Sequence, residues 1–236
     1  MRNLTMLMDY YELTMSNGYF EKGFKDKMVV FDMFYRKNPD NGGFVVSAGL
    51  EQLIEYIENM HFSKEDIEFL RSKGEFSEGF LQYLADFKFT GNIDALPEGT
   101  ICYPNTPIVT VTAPVIEAQL IETMLLLTMN FQSLIATKAS RICRTAAESG
   151  AVVMEFGARR AHGGDAAILG ARAAYIGGAA ATATVMADER FGVPAIGTMA
   201  HSWIQFFDNE YEAFKAYAEV YPDNCTLLID TYDILN

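Results

Sequence analysis

The chain has 236 residues, half of them hydrophobic, and a formal net charge of −13. That apolar content excludes a disordered chain, and the charge argues against a nucleic-acid surface, which needs a basic face; a small anionic ligand stays open, because local arginines can oppose the global charge. Cys102, Cys143 and Cys225 are odd in number and far apart, which excludes a disulfide framework or a paired-cysteine metal site and fits a reduced, cytoplasmic protein.

The start, Met1-Arg2-Asn3-Leu4, has no apolar signal-peptide region. Residues 9–20 predict an amphipathic helix. Residues 28–35 are β-rich and lead through Arg36-Lys37-Asn38-Pro39 into a Gly42-Gly43 turn. Leu50, Leu53, Ile54 and Ile57 recur at helical spacing over 49–59. Ser63 opens another helix with Asp66 three residues on, an acidic variant of the capping box. A third helix is expected over 80–87. Residues 91–113 carry short apolar runs split by Pro97-Glu98-Gly99, Pro104 and Pro107, the pattern of short antiparallel strands.

From residue 115 a long helical pattern runs to about 149. Its apolar start, 115–131, contains Glu117, Gln119 and Glu122, so a buried or amphipathic helix is expected rather than a membrane span. Four short apolar runs follow, at 152–156, 174–178, 195–200 and 226–230. Helical patterns at 166–173, 181–191 and 210–220 separate them. Alternation of this kind predicts a parallel sheet of βαβ units. The expected organisation is an α+β domain over 1–114, then a partial α/β barrel over 115–236. A complete (β/α)₈ barrel takes about 250 residues by itself. The chain is therefore expected to be a fragment, or to need a second chain on its open parallel edges.

Ligands of such folds bind at the carboxyl ends of the strands. After the first run comes Phe156-Gly157-Ala158-Arg159-Arg160-Ala161-His162-Gly163-Gly164-Asp165. Its arginines suit phosphate, and Asp165 is expected to cap the next helix. Phe156 has two readings, core packing or stacking on a planar ring. Gly177 and Gly178 follow the second run, either as a phosphate approach or as close helix packing. Gly197-Thr198-Met199-Ala200-His201-Ser202 closes the third run. His201 can serve there as nucleophile or base. Asp230, with Asp233 nearby, closes the fourth and is placed to orient His201. Tyr10 and Tyr11 are ambiguous from composition. No residue is assigned as a metal ligand.

Together these segments, with Asp9-Tyr10-Tyr11-Glu12-Leu13-Thr14-Met15 and Asp230-Thr231-Tyr232-Asp233, resemble the bacterial type of nicotinate phosphoribosyltransferase. The resemblance spans nearly the whole chain, in the family's order. It implies the irregular barrel of the type II phosphoribosyltransferases. It also implies conversion of nicotinate and phosphoribosyl pyrophosphate to nicotinate mononucleotide and pyrophosphate, coupled to ATP hydrolysis with Mg²⁺, as an entry step to NAD. His201 matches the family's phosphorylated histidine, and Asp230 the carboxylate that orients it. Phe156 would stack on the pyridine and Arg159 would hold phosphate, with Arg160, Gly177 and Gly178 as further phosphate candidates. Thr198 and Tyr11 match nicotinate contacts, Tyr11 reaching the neighbouring subunit's site in a homodimer.

Two departures stand out. Ala179-Ala180-Ala181-Thr182-Ala183-Thr184 replaces the family's usual aromatic, acidic and Gly-Thr segment after Gly178. The family's later strands, which carry further nicotinate, ribose and phosphate contacts, lie beyond Asn236. The chain alone is therefore expected to turn over little. An inactive homologue acting as an interaction module is the alternative. A nicotinamide-using relative is disfavoured by Arg160 and the neutral Ala183.

Overall fold

The computed structural model describes residues 3–234. Met1 and Arg2 of the N-terminal stretch and Leu235 and Asn236 of the closing segment lie outside the described residues. The first half runs α1 (Tyr10–Glu21), β1 (Met28–Met33), β2 (Val45–Val46), α2 (Leu50–Asn59), α3 (Lys64–Ser72), α4 (Glu78–Ala85), β3 (Asn92–Ala95), β4 (Ile101–Cys102) and β5 (Val109–Pro114). The antiparallel strands expected from the proline-split runs are present. β5 is the centre of a three-stranded sheet, pairing with β1 from Met28↔Pro114 to Met33↔Val109 and with β3 from Asn92↔Thr112 to Ala95↔Val109. Val109, Val111 and Ala113, alternate residues of β5, are buried, as a strand with one core face requires. β2 pairs with β4. The capping box at the start of α3 is closed in both directions. Asp66 N donates to Ser63 Oγ at 3.1 Å, and Ser63 N to Asp66 Oδ2 at 2.8 Å.

The long helical pattern forms as α5 (Val115–Gln119) and α6 (Glu122–Glu148), separated by Leu120 and Ile121. Val115–Glu148 is long and apolar enough to cross a membrane by length and composition, but half of its most apolar window is buried in the fold. Its polar residues work inside the protein. Glu117 accepts from Thr90 N at 2.5 Å, Ser133 Oγ accepts from Ala48 N at 3.0 Å, and Thr137 Oγ1 accepts from Val46 N at 2.9 Å. It is a core helix, as expected. The largest apolar cluster gathers Leu53, Leu70, Phe80, Leu84, Ile116 and Met129 against the inner face of the β1-β5-β3 sheet.

The second half runs β6 (Met154–Glu155), α7 (Gly164–Ile176), β7 (Ala181–Thr182), α8 (Val185–Phe191), α9 (His201–Phe206) and α10 (Glu210–Val220). The class is the expected α/β one, with parallel βα units after an α+β region. Several boundaries differ. The run at 174–178 is not a strand. Its first three residues end α7, because an alanine-rich segment continues the helix without a break. The second strand is instead β7, where a helix over 181–191 was expected, and the helix begins only at Val185. The third run contributes a single parallel bridge, Thr182↔Ala195. The fourth, 226–230, forms no strand among the described residues. α9 is a helix that the sequence reading missed. Gly163, not Asp165, occupies the N-cap of α7, and Asp165 stands in its first turn.

Candidate active site

Three backbone segments lie side by side: 153–155, 180–183 and 194–196. Ala180 N donates to Val153 O at 2.8 Å and Ala183 N to Glu155 O at 2.9 Å. On the other side, Thr182 N donates to Pro194 O at 3.0 Å and Ile196 N to Thr182 O at 2.8 Å. β7 is thus the middle strand, and the three carboxyl ends share one edge. That edge is where parallel α/β folds place their ligands.

From the first end the chain leaves through Phe156 into a 3₁₀ turn, Ala158–Arg160. Phe156 is 49% exposed. Arg159 and Arg160 are exposed beside it. Arg160, Glu155, Gly157 and His162 line one side of a cleft of about 300 Å³, and Phe131 and Ile135 of α6 line the other. From the third end the chain passes Gly197 and the exposed Thr198, whose carbonyl accepts from Tyr217 OH at 3.3 Å, to His201 at the start of α9. The imidazole is exposed, and its Nδ1 lies 3.2 Å from Thr231 Oγ1. The 230–231 segment therefore reaches His201 without a strand, through the Thr231 hydroxyl next to Asp230.

Three of the predicted positions sit elsewhere. Gly177 is buried at the end of α7, and a Cβ there would run into the Ala136 carbonyl and fall 2.8 Å from Ala139 Cβ. Gly178 faces Cys143. The glycine pair lets α7 close on α6, the packing alternative of the sequence reading. Tyr11 donates to Glu122 Oε1 at 2.7 Å. That bond and then partial burial push its phenol above the ordinary tyrosine range. Within one chain, Tyr11 bonds to α6 rather than to the strand-end loops.

Residues 6–130 match the model of the nicotinate phosphoribosyltransferase N-terminal domain. The chain belongs to the nicotinate phosphoribosyltransferase family. A Mycobacterium tuberculosis nicotinate phosphoribosyltransferase is 45% identical over 230 residues, covering 98% of this chain and 49% of that protein. One from Bacillus subtilis is 46% identical over 233 residues, covering 99% and 47%. The crystal structure of human nicotinic acid phosphoribosyltransferase superposes with a TM-score of 0.88 at 28% identity, over 96% of this chain and 55% of that one. The chain thus spans about half the length of the curated relatives it matches.

Within this nicotinate phosphoribosyltransferase chain, sequence reasoning missed Glu155. Its carboxylate accepts from Gly157 N at 2.5 Å and from Thr182 Oγ1 at 2.7 Å. The available signal was a charged residue inside an otherwise apolar run. His162, which the sequence presents only as part of its loop, is on the cleft wall. Also missed was an ionic cluster around the buried Arg172. Arg172 of α7 pairs with Glu98 at 2.6 Å and with Glu51, and donates to Gln132 at 3.2 Å. No local pattern brings those four residues together.

Proposed function

We propose that the chain supplies the N-terminal half of a cytoplasmic nicotinate phosphoribosyltransferase that makes nicotinate mononucleotide and pyrophosphate from nicotinate and phosphoribosyl pyrophosphate, with ATP hydrolysis coupled through His201. The observation that carries this reading is the shared edge on which the Phe156–Arg160 loop and the Thr198–His201 loop flank β7. An exposed aromatic ring, two arginines and an imidazole at adjacent strand ends suit a planar, carboxylate-bearing substrate and a phosphorylated one. The pyridine nitrogen attacks the anomeric carbon, the carbon–oxygen bond to pyrophosphate breaks, and pyrophosphate leaves. Phe156 stacks on the ring, Thr198 orients it, and Arg159 and Arg160 hold phosphate.

His201 attacks the ATP γ-phosphorus through Nε2, because Thr231 engages Nδ1; the bond to the β,γ-bridging oxygen breaks and ADP leaves. Hydrolysis later returns the free imidazole and phosphate. Asp230, one residue from that contact, would steady the charged ring. Mg²⁺ would enter with the substrate phosphates and neutralise their charge. Among the described residues no group of three or more His, Cys, Asp or Glu converges on one point, and Mg²⁺ usually relies on substrate phosphates and one or two carboxylates. A homodimer would bring the partner's copy of Tyr11 to this edge.

Two measurements test the reading. Calorimetric titration should show nicotinate binding in preference to nicotinamide, with Phe156→Ala weakening it at least tenfold, the scale of one lost stacking contact. Incubation with γ-labelled ATP should give an acid-labile label on the chain that His201→Asn abolishes. Equal binding of acid and amide would overturn the substrate, and a label that survives His201→Asn would overturn the phosphoryl acceptor.

A further inference from the structure

We propose that Glu155 is a positioning residue that fixes the Phe156–Arg160 loop to β7; this rests on the reading of that loop as the nicotinate and phosphate loop. The ladder alone anchors the loop poorly, because β6 and β7 are two residues each and share only Met154↔Ala181 and Glu155↔Thr182. The loop itself is a tight turn hung from Gly157, whose carbonyl accepts from Arg160 N at 2.8 Å. What holds Gly157 is the Glu155 side chain. Gly157 N donates to Glu155 Oε1 at 2.5 Å, Thr182 Oγ1 donates to Glu155 Oε2 at 2.7 Å, and Thr184 N donates to Thr182 Oγ1 at 3.0 Å.

The donors in this chain all point toward Glu155, so its end must be a double acceptor. A carboxylate satisfies that requirement and an amide does not. A glutamine could meet Gly157 with its oxygen, but its NH₂ would confront the Thr182 hydroxyl, whose proton would then lose its acceptor. Thr182 is fully buried, so that loss would not be made good by solvent. Gly157 is part of the same fit, since a Cβ there would lie 2.8 Å from Glu155 Oε1 and displace it. Glu155 also lines the cleft beside Arg160. A shift of its carboxylate therefore moves the root of the turn that carries both arginines.

The test uses the whole chain and five variants: Glu155→Gln, Thr182→Val, Thr182→Ser, Phe156→Ala and Arg159→Ala. Amide hydrogen exchange over 157–161 is expected to speed about tenfold in Glu155→Gln and Thr182→Val, the scale of one charge-assisted hydrogen bond. Thr182→Ser keeps the hydroxyl and should restore the parent rate. Nicotinate affinity should fall by a similar factor in the first two variants and recover in Thr182→Ser, with thermal midpoints within a few degrees of the parent. Exchange at the parent rate in Glu155→Gln and Thr182→Val would overturn the proposal, whatever the ligand does. Faster exchange with nicotinate affinity unmoved by Phe156→Ala and Arg159→Ala would leave the tether standing and overturn the assignment of the loop to nicotinate. General unfolding in Glu155→Gln, with exchange raised across the chain, would also overturn it, because a positioning residue acts locally.

Discussion

Glu12 shows how much one buried atom can decide. It is fully buried on α1, and one carboxylate oxygen accepts from Thr123 N at 3.0 Å and from the Thr123 hydroxyl. Among the described residues the other oxygen has no hydrogen-bond partner, and neither has the Ser16 hydroxyl one turn along the helix nor the Tyr56 hydroxyl. Burial raises the Glu12 pKa, the two Thr123 bonds oppose it, and the nearby Glu122 charge adds to the rise; the net shift is upward. Burial, and then the Glu12 charge, raise Tyr56 as well. The sign follows for stability. An acid with a raised pKa in the fold binds its proton more readily there than in the unfolded chain. Its contribution is full below the ordinary carboxylate range and is lost as pH rises through the raised value. Glu12→Gln keeps an acceptor for Thr123 and removes the buried charge. It should stabilise the chain by about 1 kcal/mol at pH 7, the gain shrinking toward pH 4. Urea unfolding at the two pH values checks this, and a gain that does not change with pH would show that the charge is irrelevant.

At the scale of elements, the junction between the two halves is held by a charge cluster that has no sequence signature. Glu98 accepts from Gly49 N at 2.5 Å and Leu50 N at 3.1 Å, so it serves as the cap of α2 while pairing with Arg172 of α7. Burial alone would raise its pKa, but the Arg172 hydrogen bond and charge and the two backbone donors outweigh burial and hold it below the ordinary range. Arg172→Met would leave Glu98 without its counter-charge and should cost about 3–5 kcal/mol at neutral pH. A depressed pKa stabilises above the ordinary carboxylate range and fades as pH falls through the lowered value. The parent should therefore lose stability in acid more steeply than the variant. A loss below about 1 kcal/mol in urea unfolding would mean that the cluster is replaceable.

What the sequence made legible at this scale was whatever local chemistry settles. The Ser63 cap, the α2 stripe and the proline-split strands depend on residues a few positions apart. The 174–178 run is short and apolar, and periodicity alone does not separate so short a run at a helix end from a strand. The 226–230 run has strand composition, but a strand forms only where a neighbouring backbone accepts its hydrogen bonds. Phe156 and His201 drew attention in the sequence because they stand at the ends of apolar runs, and the structure puts both at one strand edge. Glu155 was not legible, because its work is done across to Thr182, which lies 27 residues away.

For the whole molecule, the surface beyond the site bears on how two chains would meet. The β1-β5-β3 sheet and α6 form a groove of about 400 Å³ lined by Val30, Phe31, Met33, Val111, Leu125 and Leu126. Apolar side chains are strongly exposed along it, with Val30 at 61% and Leu126 at 43%. Glu122 stands on the same wall and accepts the Tyr11 hydroxyl. A partner seated in this groove would lie against Tyr11, which is the arrangement that a shared active site needs. The rival interface is the open edge of β6, beside which Val152 is 70% exposed and which invites strand addition. The two can be separated. Val30→Glu puts a charge in the groove and Val152→Glu puts one at the edge, and neither disturbs a buried residue, so each should change monomer stability by less than about 0.5 kcal/mol. If the groove is the dimer face, sedimentation equilibrium should show a dimer for the parent and for Val152→Glu, and a monomer for Val30→Glu, since a charge buried unpaired in an interface costs several kcal/mol. A dimer lost only in Val152→Glu would transfer the interface to the sheet edge and leave Tyr11 inside its own subunit.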